Sequence, residues 1–315
     1  MNSVVCTLFE NHFHLGLAAL ANSLYRQGFR GQLYAGYRGA LPPWADAAQQ
    51  NSSLNWPGAT TYSIAEGMNI HFLPLEITTH FTNYKPTFML RLWDGPAKDA
   101  EAIMYLDPDI VINCKWGFYD KWVTYGVALV HEIVVNDMPP THPVRMQWKK
   151  VIEKSGRTVT HNITSYINAG FCGIEKQNIE FLHLWEAFIQ TGVNEYNADI
   201  TKITAFDKTH PFCFLDQDSL NITAMCCNCP ISEIGPEGMD FIHGGWTMAH
   251  AVGSPKPWKK KFLKSALGGN PPSIADKEYW KNINSPISMF SPTYTKLKLL
   301  SLNTASLLGR FYRRY

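Results

Sequence analysis

The chain has 315 residues, of which 45% are hydrophobic and 17% are charged, and its formal net charge is +2. This length and apolar content suit one large folded domain, or a main domain with an appendage, and exclude an intrinsically disordered chain. Positive charge concentrates late: residues 255–315 hold twelve Lys and Arg against two acidic residues, so the first 254 residues are acidic overall. A basic C-terminal segment on an acidic body predicts contact with an anionic surface.

Apolar periodicity predicts strands and helices in alternation, the order of a parallel α/β sheet. A helix over 176–192 is predicted to stop at Gly192, and Asp216 is a candidate N-cap of a short helix within 214–221. The predicted strands cover 3–9, 31–37, 69–75, 102–107, 126–133 and 166–174; a first helix ends near Gly28, and another covers 87–97.

Beyond residue 265 we predict a separate, basic C-terminal extension over 266–315 that begins with the turn sequence GGNPP. Apolar and cationic residues mix in its last part, the pattern of a helix that lies on an anionic lipid surface. The alternative is a helix that packs back on the body. The apolar residues are Leu297, Leu300, Leu307, Leu308 and Phe311, and the cations are Lys296, Lys298, Arg310, Arg313 and Arg314.

The longest apolar stretch near the N-terminus, Leu15 to Leu24, is interrupted by Asn22 and does not match a signal peptide or a membrane span. We therefore expect a cytoplasmic protein, with peripheral attachment to the inner face of the membrane if the C-terminal extension binds lipid. The seven cysteines are predicted to be reduced thiols. The Cys226–Cys229 cluster could supply zinc ligands, but no second Cys or His pair follows at zinc-finger spacing.

Several common site motifs are missing from the sequence. No G-x-G-x-x-G follows the first strand, and no P-loop, H-E-x-x-H or G-x-S-x-G motif occurs. The sequence YLDPD, in contrast, ends a buried strand with Asp107 and Asp109, whose side chains share one side of an extended segment. Two carboxylates about 4 Å apart repel by roughly 4 kcal/mol at an effective dielectric near 20, so a hard divalent cation between them would be stabilising. A solvated acidic turn is the alternative.

A second segment, HAVGSPKPW over 250–258, adds groups that suit a metal-bound pyrophosphate. His250 can complete a Mn²⁺ coordination shell, Gly253 lets backbone approach a phosphate closely, and Lys256 supplies a cation for that phosphate. The alternatives are a core histidine with satisfied hydrogen bonds and one more cation of the basic C-terminal region.

Four segments in this order, YLDPDIVI, INAGFCGI, FLDQDSLN and HAVGSPKPW, resemble the motifs of the retaining glycosyltransferases of family 8, and the resemblance covers roughly residues 3–258. It implies a GT-A nucleotide-diphospho-sugar transferase fold, a Rossmann-like mixed α/β sheet with flanking helices, formed by residues 1–265. It also implies a hexosyltransferase that moves galactose or glucose from a UDP-sugar to a saccharide or a lipid-linked glycan such as lipopolysaccharide. We expect no nucleic-acid partner, because the basic residues of the tail are collected with leucines at the end of the chain rather than spread over a folded face with aromatic residues.

The resemblance also implies site residues. Mn²⁺, or Mg²⁺ in its place, would be held by Asp107, Asp109 and His250. The catalytic candidates beside the transferred sugar are Asp216 and Gln217, and because an amide is a poor nucleophile, front-side attack is favoured over a covalent intermediate. The donor-binding residues would be Thr7, Phe9, Asn11, Arg91, Asp107, Asn168, Ala169, Gly170, Gly253 and Lys256.

Two alternatives to this function remain open. The segment TLFENHFH, which holds Thr7, Phe9 and Asn11, differs from the usual family wording, so a transferase of another GT-A family with a different nucleotide donor remains a hypothesis. A protein that binds nucleotide sugars without transferring them is the other alternative. Asn168 could simply end a strand.

Overall fold

The structure is a computed structural model that describes residues 1–133 and 137–312. The strands are β1 (Ser3–Glu10), β2 (Gln32–Arg38), β3 (Gln49–Gln50), β4 (Thr60–Ala65), β5 (Met68–Pro74), β6 (Ala102–Leu106), β7 (Ile110–Ile112), β8 (Val127–His131), β9 (Ile167–Glu175), β10 (Ile231–Ile234) and β11 (Met248–His250). The helices are α1 (His14–Arg26), α2 (Lys85–Asp94), α3 (Trp116–Val123), α4 (Pro143–Lys154), α5 (Glu180–Tyr196), α6 (Leu215–Cys226), α7 (Phe262–Leu267), α8 (Ile274–Lys281) and α9 (Pro292–Leu308).

Within these ranges, nine strands form one sheet in the order β10-β8-β9-β6-β1-β2-β5-β4-β3. Its centre is parallel, since β1 pairs with β2 and β6 and β2 pairs with β5 in that sense. However, β9 runs antiparallel between β6 and β8, so the sheet is mixed, as the family resemblance predicts. The parallel strands β1 and β6 both end at the edge where Asn11 and Asp107 follow them, the usual place for a ligand site in an open α/β sheet.

A small second sheet, β7 paired antiparallel with β11, lies beside this edge. Helix α1 packs closely against the turn before it: a Cβ built on Gly16 would lie 2.2 Å from the carbonyl oxygen of Pro108. Only a glycine lets the helix approach the turn this closely, because any side chain would collide with backbone. The first helix of the fold therefore holds the Asp107–Asp109 turn in place.

The predicted strands correspond to β1, β2, β5, β6, β8 and β9. Three details of the predicted helices are wrong. The helix predicted over 87–97 spans Lys85–Asp94, with Pro86 in its first turn and Gly95 directly after it. Helix α5 does not stop at Gly192 but continues to Tyr196, because Gly192 serves close packing: a Cβ there would lie 2.4 Å from Leu215. Asp216 is not an N-cap but lies inside the first turn of α6, whose N-cap position is Phe214.

The sequence analysis did not predict α3, α4, α7 or α8. Helix α4 carries four Lys and Arg and looks solvent-facing in sequence, yet Arg145 is 1% exposed. The buried guanidinium donates to the carbonyl oxygens of Met138 and Ser165, which offsets the cost of removing its charge from water.

The C-terminal helices pack on the body. Asn22 of α1 donates to the carbonyl oxygens of Asn282 and Ile287, both at 2.8 Å, and a buried apolar cluster joins Trp258 to Leu302 of α9. Helix α7 spans the boundary predicted at residue 265. Arg313 and Arg314 lie outside the described residues. Within the described ranges, no helix is both long and apolar enough to cross a membrane.

Candidate functional site

Asp107 and Asp109 lie in the turn between β6 and β7. The backbone N–H of Asp107 donates to the carbonyl oxygen of Gly170 on β9 (2.8 Å), which fixes the turn to the central sheet. The β7–β11 ladder places His250 opposite Ile110, next to the acidic pair. One ligand atom from each of Asp107, Asp109 and His250 lies within 4.8 Å of the others. The structure thus brings together the three predicted metal ligands.

The imidazole of His250 points at both carboxylates. Its Nε2 lies 3.3 Å from Oδ1 of Asp109 and 3.9 Å from Oδ2 of Asp107. The ring can lie there because position 170 is glycine: a Cβ on Gly170 would lie 2.5 Å from Cε1 of His250. Two carboxylate oxygens and one imidazole nitrogen form a donor set that Mn²⁺ accepts readily.

Lys256 also reaches this cluster. Its ammonium group donates to Oδ2 of Asp109 and to the carbonyl oxygen of Ala251 (2.8 Å). The chain turns back between them at Gly253, whose φ of +76° lies in the left-handed region that favours glycine. Burial by itself would raise the pKa of Asp109, but His250 and Lys256 outweigh burial and hold that pKa below its ordinary value.

A second buried cation, Lys85 of α2, lies between two acidic groups. Its Nζ is 3.3 Å from Asp107 Oδ1 and 3.2 Å from Asp216 Oδ2, and it donates to the carbonyl oxygen of Ala169 (2.9 Å). The side chain is 2% exposed. Burial favours the neutral amine, but Asp107 and Asp216 outweigh burial and raise the pKa of Lys85. Lys85 therefore connects the metal-ligand cluster to the predicted catalytic carboxylate.

The predicted donor-binding residues of β9 form a hydrogen-bonded group with the catalytic candidate Gln217 of α6. The amide oxygen of Gln217 accepts from the backbone N–H of Ala169 (3.0 Å). The side chain of Asn168 donates to Glu132 (2.6 Å) and accepts from the N–H of Gly170 (2.8 Å). Gln217 in the first turn of α6 is thus bonded to the start of β9, next to Asp216 and Lys85.

Asp218, one residue beyond Gln217, is fully buried and accepts hydrogen bonds from the Tyr166 hydroxyl (2.7 Å) and the backbone N–H of Phe214 (2.8 Å). Burial raises the pKa of Asp218 to about 8, which favours the protonated carboxyl. Its two hydrogen bonds fix the start of α6.

Four other residues with predicted donor-binding roles lie outside this cluster. Arg91 is exposed on α2, where its guanidinium covers Trp56 and donates to the Tyr84 hydroxyl (2.7 Å). The basic residue of α2 that lies between Asp107 and Asp216 is instead Lys85. The remaining three are Thr7 and Phe9, both buried on β1, and Asn11, which follows β1 with a φ of +50°.

Sequence reasoning missed Lys85 and Glu132. The predicted helix began after Pro86, which left Lys85 in a loop, whereas α2 starts at Lys85 with Pro86 in its first turn. A lysine directly before an apolar helix in the segment upstream of the acidic pair was the available signal. For Glu132 the signal was an acidic residue at the end of the strand over 126–133.

In total, Lys85 and Lys256 face the carboxylates of Asp107, Asp109 and Asp216 through ion pairs. Three carboxylates against two ammonium groups leave a small excess of negative charge, which suits a divalent cation. That cation and the partly exposed Lys256 together could bind an anion with two or more charges, such as a diphosphate.

No protein-family model matches the sequence, and no curated protein matches it. Solved structures do match. The galactosyltransferase LgtC, solved with donor and acceptor sugar analogues, is 15% identical over 94% of this chain and 99% of its own, with a TM-score of 0.52. The bifunctional glycosyltransferase WbbM is 12% identical over 95% of this chain, with a TM-score of 0.51. The glycosyltransferase GlyE of Streptococcus pneumoniae TIGR4 is 12% identical over 96% of this chain, with a TM-score of 0.50.

The protein has the GT-A fold. The chain spans about half of WbbM (51%) and 64% of GlyE, but nearly the whole of LgtC. At these identities the similarity establishes a common architecture, the large mixed sheet flanked by helices.

Proposed function

We propose that the protein is a metal-dependent, retaining glycosyltransferase that moves a hexose, galactose or glucose, from a UDP-sugar to a saccharide or a lipid-linked glycan. The observation that carries this proposal is the convergence of Asp107, Asp109 and His250 with Lys256 at the ligand-binding edge of a GT-A sheet. The glycosyltransferase structures of the same fold support it.

The cluster fits a divalent ion such as Mn²⁺. Asp107 and Asp109 would supply carboxylate oxygens and His250 would supply Nε2, which already faces both acids. When bound, the ion offsets the negative charge that grows on the departing diphosphate. Lys256 is placed to bind the same phosphates, and it must leave Asp109 at least partly to do so.

Asp216 and Gln217 are the proposed catalytic residues. A covalent intermediate would need a free carboxylate nucleophile, but Asp216 is held in an ion pair with the buried Lys85, which lowers its nucleophilicity. We therefore favour front-side attack by the acceptor hydroxyl, with the departing phosphate as the base. In this scheme the Asp216 carboxylate stabilises positive charge on the sugar ring, and Lys85 keeps the carboxylate in position.

The test is turnover of a panel of nucleotide sugars with Mn²⁺ and with a chelator, measured as release of nucleoside diphosphate. We expect metal-dependent release from a UDP-hexose that Asp109→Asn and His250→Ala abolish. Lys259→Gln, a change at an exposed cation three residues from Lys256, is the matched control and should behave like wild type. Binding of nucleotide sugar without any release, even with candidate acceptors present, would favour the alternative of a binding protein.

A further inference from the structure

The outer face of α9 carries an apolar stripe that no other part of the described chain covers. Leu297, Leu300 and Leu307 are 62%, 64% and 53% exposed, and Phe311, just after the helix, is 79% exposed. Spacings of three and seven residues place the leucines on one side of a helix. We call these four residues the outer stripe.

The outer stripe is not part of the protein core. The opposite side of α9 makes the core contacts, with Leu302 5% exposed and Ala305 fully buried in the cluster that includes Trp280. A helix that packs on its domain normally has a polar outer face. Apolar residues on both faces indicate that the outer stripe meets something else.

Beside the outer stripe, a cavity of about 420 Å³ opens between α8 and α9. Three cationic side chains line it: Lys277 and Lys281 from α8, and Arg310 just beyond α9. Asn303, Ser306 and Leu307 of α9 also line the cavity. Leu307 therefore belongs to both the cavity and the outer stripe. Lys281 pairs with Glu278, while neither Lys277 nor Arg310 has a salt bridge to any described residue.

We propose that this face docks on an anionic membrane, with the outer stripe inserted among the acyl chains and the cavity holding the phosphate of a lipid headgroup. Cationic side chains next to exposed leucines match the two parts of a phospholipid, an anionic headgroup above an apolar chain. A second copy of this chain is a poorer occupant, because it would place one set of cations against another. The sequence predicts lipid contact from residues 296–314; the structure adds α8, whose two lysines form one wall of the cavity.

Flotation of the full chain with lipid vesicles tests this directly. We expect binding to vesicles that contain phosphatidylglycerol and none to vesicles of phosphatidylcholine alone. Replacing Lys277, Lys281 and Arg310 together with glutamine should lower the partition coefficient about a hundredfold, roughly fivefold per cation. Replacing Leu300 and Leu307 with serine should also lower it by at least about tenfold.

The matched control removes the same charge elsewhere. Lys115, Lys150 and Lys208 are exposed on the body and, in the described structure, form no salt bridges. Their joint change to glutamine should leave most of the vesicle binding intact. Thermal unfolding of every variant checks that the fold is kept.

Three results would overturn the inference: equal binding to neutral vesicles, equal loss in the cavity variant and the control variant, or a wild-type dimer that the Leu300→Ser, Leu307→Ser variant dissociates. Vesicle binding requires neither donor nor metal. A negative outcome would therefore leave the proposed sugar transfer untouched, and failure of sugar transfer would leave membrane docking untouched.

Discussion

Lys256 competes with a divalent ion for Asp109, so replacing it should change metal affinity and nucleotide affinity in opposite directions. In the structure the ammonium group of Lys256 donates to Oδ2 of Asp109, while His250 approaches Oδ1. A metal that binds Asp109 must share the carboxylate with Lys256 or displace it. Lys256→Met removes the competing cation and keeps the length of the side chain.

The magnitude follows from the contact that is lost. A hydrogen bond between charged groups contributes about 1.5–3 kcal/mol, and about 1.4 kcal/mol corresponds to a factor of ten in a dissociation constant. We therefore expect Lys256→Met to bind Mn²⁺ alone about ten- to a hundredfold more tightly than wild type. With Mn²⁺ saturating, the same variant should bind UDP at least about tenfold more weakly, because a phosphate contact is gone.

Isothermal titration calorimetry measures both affinities on chelator-treated protein, first with Mn²⁺ and then with UDP in the presence of Mn²⁺. Lys259→Met is the control, since Lys259 is exposed in the same segment and contacts neither Asp107 nor Asp109. If Lys256→Met binds Mn²⁺ no more tightly than the control does, the Lys256–Asp109 pair does not restrict the metal site and this reasoning fails.

Three further predictions concern the support of the site. Lys85→Met leaves the buried Asp216 and the partly buried Asp107 without their shared cation and should lower the free energy of unfolding by about 3–5 kcal/mol in denaturant titration; an unchanged value would contradict these ion pairs. Gly170→Ala places a Cβ against the His250 ring and should weaken Mn²⁺ binding on the order of tenfold by calorimetry, and unaltered affinity would show that the ring moves freely. Because burial raises the pKa of Asp218 to about 8, the folded carboxyl keeps its proton between its ordinary pKa near 3.8 and about 8 while the unfolded one loses it. Stability contributed by this group should thus fall as pH rises through that window, and Asp218→Asn should remove the slope in pH-dependent unfolding; a variant with the wild-type slope would refute the assignment.

The local part of the fold could be predicted from the sequence, because strands such as β1 and β6 are short apolar runs bounded by turn residues. The end of α5 could not be predicted. Gly192 looks like a stop signal, yet its missing side chain makes room for Leu215 on a helix that is distant in sequence. Contacts between distant elements leave no periodic signal in either segment.

The same limit applies to the candidate site. The metal-ligand cluster was predictable because each of its members lies in a distinctive short motif, and the structure places Asp107, Asp109 and His250 together. The role of Lys85 was not predictable, because a lysine beside a proline is typical of the solvent-exposed start of a helix. Lys85 is a buried counter-ion because the fold brings the start of α2 next to Asp107 and Asp216.

The most direct test of the account is whether the protein binds a nucleoside diphosphate only through a metal ion held by Asp107, Asp109 and His250. Calorimetry with UDP, with other nucleoside diphosphates as a panel, should be carried out in Mn²⁺ and in a chelator, on wild type and on Asp109→Asn. We predict binding of UDP by the wild type in Mn²⁺, and none in the chelator or in the variant. Equal binding in the chelator, or binding that survives in Asp109→Asn, would contradict the central claim.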